Sequence, residues 1–255
     1  VIRTNTFQLN RRTYLNTFRD AAHRRRIGAP DLEQRAPMLL RRAVALAKAA
    51  RERAGRPEVA IAGVISPLEH CFRPDLAPPE QQALAEHGEL ATILAEAGVD
   101  LVLLEAMNTI GEACGATAGA LATGKPVWVS FAVGADGNVL SGESLADAAR
   151  AVREIGAAAV LASAAPPEDV SRAVERLAAA GHTPFGAFAH VGKFDPPSWK
   201  FDFFPQFAMT ETWPPERYAA EAGQWQARSA RIVGGCCGTS PAHTRAVKAA
   251  LAGTR

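Results

Sequence analysis

Two adjacent cysteines, Cys236 and Cys237, stand between glycines in RIVGGCCGTSPAHTRAV (231–247), at the end of an apolar run and just before a helix start. Adjacent thiols cannot both follow the alternation of a strand, so the chain must turn there, and Gly234, Gly235 and Gly238 permit the turn. Two thiolates turned to one side suit a soft or borderline cation such as Zn²⁺. Three other chemistries use the same residues. Buried cysteines pack as small hydrophobes, a vicinal pair can form a strained redox disulfide, and a glycine-rich loop entering a helix at Ser240 can receive a phosphate.

The elements that must position this pair are legible as alternation. Near-continuous apolar runs occur at 1–7 (VIRTNTF), 59–65 (VAIAGVI), 100–107 (DLVLLEAM) and 126–133 (PVWVSFAV). Three more follow at 157–164 (AAAVLASA), 185–192 (FGAFAHVG) and 230–238 (ARIVGGCCG). Runs of this kind are strands covered on both faces. Helical spacing fills the intervals: Leu90, Ile93, Leu94 and Ala97 fall at i, i+3, i+4, i+7, as do Val170, Ala173, Val174 and Leu177. Gly55 with Pro57, Gly98 and Gly181 close helices, and Ser240-Pro241 opens the last one.

Strict β/α alternation implies parallel strands joined by right-handed crossovers. Seven strands in 255 residues predict the α/β class and a (β/α)8 TIM-like barrel lacking its first βα unit, as a single domain over 1–255. A doubly wound sheet is the alternative, but no G-x-G-x-x-G follows the first strand. Barrel enzymes work at the C-terminal ends of their strands. Those ends carry Thr4, Asn5, Thr6, Ser66, Glu105, Asn108, Ser130, Ser163 and His190, besides the two cysteines.

A formal charge of +2, with no basic run interleaved with aromatics, gives no reason to expect nucleic acid. The arginines of RDAAHRRRIG (19–28) read as a solvated helix face. No run approaches the roughly 18 apolar residues of a membrane span, and no signal peptide is visible. Four cysteines make no disulfide framework, which predicts a cytoplasmic protein.

GGCCGTSPAHTRAV resembles the C-terminal signature of the homocysteine S-methyltransferase family, whose barrel binds zinc through thiolates. In chain order, VIRTNTFQLN resembles the family's second strand and LVLLEAMNTIGEACGATAGA its fourth strand and helix. KPVWVSFAVGADGNVLSGESLADAAR resembles its fifth strand, hairpin and next helix. The resemblance implies zinc held by Cys236 and Cys237, and a metal-activated thiolate of homocysteine or a similar small thiol as nucleophile. The methyl donor would be cationic and S-methylmethionine-like. Glu105 would pair with the substrate's ammonium group, and Thr4, Asn5, Thr6 and Ser130 would bind substrate.

The chain departs from the family at two places. The family's third zinc cysteine ends the sixth strand, where AVLASAAPPEDVSRAV offers Ser163 and Ala164, or Ala162 and Ser163. His190 is the replacement ligand expected here, with His70 and Cys71 a further candidate pair, while Cys114 belongs to a helix core. The family's opening Asp-Gly-Gly-x-Gly-Thr motif has no counterpart, which predicts an N-terminally truncated barrel, one completed by another segment or chain, or an open one. These departures also admit a degenerate, non-catalytic barrel that binds ligand or partner without zinc chemistry.

Overall fold

The computed structural model describes residues 1–12, 21–26, 32–181, 184–194, 207–209 and 212–252. Its elements alternate as the apolar runs require. The short β1 (Ile2–Arg3) precedes α1 (Ala21–Arg26) and α2 (Leu32–Arg53), and β2 (Ile61–Ile65) leads through a 3₁₀ turn at Pro74–Leu76 into α3 (Glu80–Ala97). Then come β3 (Leu101–Met107), α4 (Ile110–Leu121), β4 (Val127–Ala132), α5 (Leu145–Ile155), β5 (Ala159–Ser163) and α6 (Pro167–Ala179). After β6 (Phe185–Ala189), a two-stranded antiparallel insert, β7 (Gly192–Phe194) and β8 (Phe207–Met209), precedes α7 (Pro215–Ala227), β9 (Ile232–Gly235) and α8 (Pro241–Ala252).

Seven strands form one sheet in the order β1-β2-β3-β4-β5-β6-β9, and every neighbouring pair is parallel. Chain order equals spatial order, as in a barrel wound in one direction. The sheet curls: Ala62 and Val64 of β2 share one apolar cluster with Ala159 and Leu161 of β5 and Phe188 of β6. The opposite face packs on the helices, where Val170, Ala173, Val174 and Leu177 of α6 are all fully buried. The curled sheet of seven parallel strands is consistent with the expected TIM-like barrel lacking one βα unit, and no eighth parallel strand joins it among the described residues. Among those residues no backbone ladder joins β9 to β1.

The first run was expected to be a strand over 1–7, but the ladder stops at Arg3. Threonine hydroxyls take over from the backbone there. The Val64 amide donates to Thr4 Oγ1 at 3.0 Å, Thr6 Oγ1 donates to the Val64 carbonyl at 2.6 Å, and the two hydroxyls lie 2.8 Å apart.

The far side of the sheet is clamped by Tyr218 of α7, which is fully buried. Its hydroxyl accepts from the Ala189 amide at 3.0 Å and lies 2.8 Å from the Gly234 carbonyl, so it ties β6 to β9 just below the cysteine turn. Tyr218→Phe leaves both backbone groups buried without this partner. The expected cost is about 1–3 kcal/mol, read as a lower denaturant midpoint at unchanged m-value. No helix among the described residues is long and apolar enough to cross a membrane.

Candidate active site

Parallel strands all end at the same rim, and here the rim opens into a cavity of about 740 Å³. Arg3, Thr4 and Asn5 after β1 form one wall; His70, Cys71 and Phe72, from the loop after β2, form another. Glu105 and Ala106 of β3, Ser163 and Ala164 at the end of β5, His190 after β6 and the Cys236–Thr239 turn after β9 complete it.

The cysteine turn is built by the backbone. The Cys236 amide donates to the Ala189 carbonyl at 3.0 Å, and the Val191 amide donates to the Cys237 carbonyl at 3.0 Å. The Thr239 amide closes a β-turn onto the Cys236 carbonyl at 3.1 Å, with Gly238 at φ +81°. Gly235 is required by close approach, since a Cβ there would sit 2.4 Å from Thr239 Oγ1. The result places the two sulfurs 3.9 Å apart as free thiols.

That spacing fits two ligands of one tetrahedral zinc, for which Zn–S bonds of about 2.3 Å imply sulfurs about 3.8 Å apart. A third protein ligand is not assembled: among the described residues no three His, Cys, Asp or Glu side chains are grouped to hold a metal. His190 and Cys71 line the same cavity. His190 Nδ1 is 2.9 Å from the Gly192 carbonyl, the kind of backbone anchor that fixes a metal-binding imidazole's tautomer. Ala106 and Ala164 hold φ of +63° and +57°, a left-handed conformation that non-glycine residues keep only where the surroundings impose it.

Charges at the rim are coupled. The Cys236 thiol donates to Cys237 and so holds the Cys237 pKa below that of an ordinary thiol, while the same hydrogen bond and burial push Cys236 up. Burial pushes the Cys71 thiol up to about 12. Burial also raises Glu105, and Arg3 opposes it through an ion pair with Nη1 2.7 Å from Oε1. Burial likewise lowers His190, against the pull of the Gly192 carbonyl.

Cys236, Cys237, His190, Glu105, Thr4 and Asn5 therefore meet on one cavity, together with Cys71 and His70. Thr6 and Ser130 are not on its lining. Thr6 is spent on the β1–β2 brace, and the Ser130 hydroxyl is fully buried against that of Ser163. Ser66 and Asn108 are also turned to structure, the first onto the Pro67 carbonyl and the second onto that of His70. Cys114 is buried in the helix core. The phosphate reading of the last loop meets donors already engaged: the Ser240 amide bonds His243 Nδ1 and the Ala242 amide bonds Ser240 Oγ. Arg3 is the residue the sequence reading missed, although an arginine inside an apolar strand run was its signal.

The profile of the family described as Homocysteine S-methyltransferase matches residues 1–251. The chain belongs to the homocysteine S-methyltransferase family. Within that family it is 26% identical over 260 residues to the homocysteine S-methyltransferase YbgG of Bacillus subtilis, covering 93% of this chain and 76% of that protein. It is 28% identical over 178 residues to the betaine–homocysteine S-methyltransferase 1 of Bos taurus, covering 64% of this chain and 42% of that one. The chain thus spans less than half the length of the bovine relative. The homocysteine methyltransferase MmuM of Escherichia coli, in its metallated form, superposes with a TM-score of 0.73 at 22% identity, covering 97% of this chain and 78% of that one. The oxidised form of the same enzyme gives a TM-score of 0.74 at 22% identity, covering 97% and 78% of the two chains. For this family member those likenesses establish the shared fold.

Proposed function

We propose that this methyltransferase-family chain moves a methyl group from a cationic, S-methylmethionine-like donor to the thiol of homocysteine or a similar small thiol, with zinc bound at Cys236 and Cys237. The observation that carries the reading is the thiol pair, 3.9 Å apart on the wall of a cavity that also contains Glu105. Membership of the family supports it.

When bound, zinc supplies a site where the substrate thiol ionises at neutral pH, which a free thiol of pKa about 8.5 does only slightly. Cys236 and Cys237 would hold the metal, and His190 or Cys71, which line the same cavity, would complete its protein ligands. Glu105, carrying negative charge against Arg3, receives the substrate ammonium. The β6–β9 clamp through Tyr218 keeps the thiol pair aimed into the cavity. In the transfer, the substrate sulfur forms its bond to the methyl carbon as the donor's sulfonium–carbon bond breaks. The electron pair of that bond stays on the donor sulfur, two thioethers result, and the substrate's proton leaves to solvent.

Methionine formed from homocysteine and S-methylmethionine, with betaine as the comparison donor, tests the reading. Turnover with S-methylmethionine and little with betaine is expected. The absence of a three-ligand group among the described residues favours a second reading, a barrel that binds thiols without transferring methyl groups. Thiol binding without methionine from either donor would establish that second reading instead.

A further inference from the structure

The arginine at the rim lines the cavity and joins both edges of the sheet. Arg3 extends from β1 across the cavity mouth, and its Nη1 pairs with Glu105 while its Nη2 donates to the Gly235 carbonyl at 2.9 Å. The guanidinium carbon lies over the Phe188 ring, 5.1 Å from its centre, so a cation–π contact adds to the two hydrogen bonds in holding it. A guanidinium carries five N–H donors, and these two bonds leave three. It lines the same cavity as Cys236, Cys237 and Glu105.

One cavity therefore offers a soft pair of thiols, one fixed cation and one buried carboxylate. A ligand complementary to all three has a thiol, a carboxylate and an ammonium group. We propose that Arg3 receives the α-carboxylate of the thiol substrate through its remaining donors, while Glu105 takes the ammonium. The Arg3–Glu105 pair is then the unliganded site's substitute for the charges of a bound zwitterion. This rests on the reading of the site as one for an amino-acid thiol, and it makes Arg3 the residue that selects amino acids over plain thiols. Planar and carrying several donors, arginine meets a carboxylate with two parallel bonds, which lysine cannot reproduce.

Titration calorimetry on the purified protein, with homocysteine and with 3-mercaptopropylamine, tests this. The second ligand keeps the thiol and amine but lacks the carboxylate. The wild-type chain is expected to bind homocysteine about 10- to 100-fold more tightly. Arg3→Ala is expected to remove that preference by weakening homocysteine alone, and Arg3→Lys to restore part of it. Equal wild-type affinities for the two ligands would overturn the proposal without variants. So would a folded Arg3→Ala or Arg3→Lys protein that keeps the full preference, or one that loses both ligands equally, since a merely structural arginine gives that result. If the wild-type chain binds neither thiol, the reading of the site falls, and the role of Arg3 falls with it.

Discussion

Cys236→Ser is expected to lower methyl transfer more than about 100-fold, since even changes behind a metal's ligands cost 10- to 100-fold in metal affinity or activity. A serine hydroxyl is a hard, weakly acidic group and a poor substitute for a thiolate on zinc. The fold does not depend on this sulfur. Its backbone amide keeps the bond to the Ala189 carbonyl, and Thr239 still closes the turn onto the residue's carbonyl. Thermal stability should therefore stay close to that of the parent without metal, while zinc per chain, counted by mass spectrometry on protein purified without chelators, falls toward zero. Retained zinc and retained turnover in Cys236→Ser would remove the thiol pair from the chemistry. Parallel metal counts on Cys71→Ser and His190→Asn decide which of those residues completes the ligand set. The outcome is informative because sulfurs 3.9 Å apart fit the metal, while the third ligand is not assembled in the structure.

Gly115→Ala is expected to destabilise the chain by about 3 kcal/mol, a fall in melting temperature of roughly 6–12 °C. Gly115 lies on α4 where that helix crosses α3 at close range. A Cβ there would sit 2.3 Å from the Glu80 carbonyl oxygen and 2.9 Å from the Leu84 nitrogen, both backbone atoms that no rotamer change can move aside. Gly119, one turn on, is in the same position, with the Leu84 carbonyl 2.4 Å from its would-be Cβ. Gly111, in the first turn of the same helix, has nothing within 4 Å of that position. Gly111→Ala should therefore stabilise by up to about 1 kcal/mol, the ordinary helix-propensity gain. Opposite signs at two glycines four residues apart would establish packing as the cause. Stabilisation at both positions would reduce the changes to propensity. The packing reaches the rim, because α4 begins at its cap Thr109, two residues after β3 ends.

The strands were legible because burial on both faces writes a plain apolar run, and each of the seven runs contains a strand of the parallel sheet. Their ends were less so. The first run ends early because Thr4 and Thr6 substitute hydroxyls for ladder bonds. The sixth, read as continuous over 185–192, breaks after Ala189 and resumes at Gly192 as a strand of another sheet. The three-residue strands of that insert are too short to show any period. At the site, the cysteine turn announced itself through its glycines. The Arg3–Glu105 pair did not, because its partners are 102 residues apart, on strands that meet only as the two neighbours of β2. Ser130 and Thr6 sit at strand ends in sequence, yet their hydroxyls are used within the sheet. A strand-end position fixes where a residue is but not which way its side chain faces.

The loop after β2 brings Cys71 and His70 to the cavity, and it is held at its base. Its Leu68 amide donates to buried Glu112 at 2.7 Å, Asn108 donates to the His70 carbonyl at 2.9 Å, and the Phe72 amide bonds His70 Nδ1 at 3.1 Å. Glu112 is held in turn by fully buried His87, 3.1 Å away. A wall anchored in this way has already lost its conformational freedom before any ligand arrives. The ordering cost of about 0.5–1.5 kcal/mol per immobilised side chain was met during folding. Entropy lost on binding therefore falls mainly on the incoming molecule, and stiffening that molecule will raise its affinity more than adding contacts to the loop.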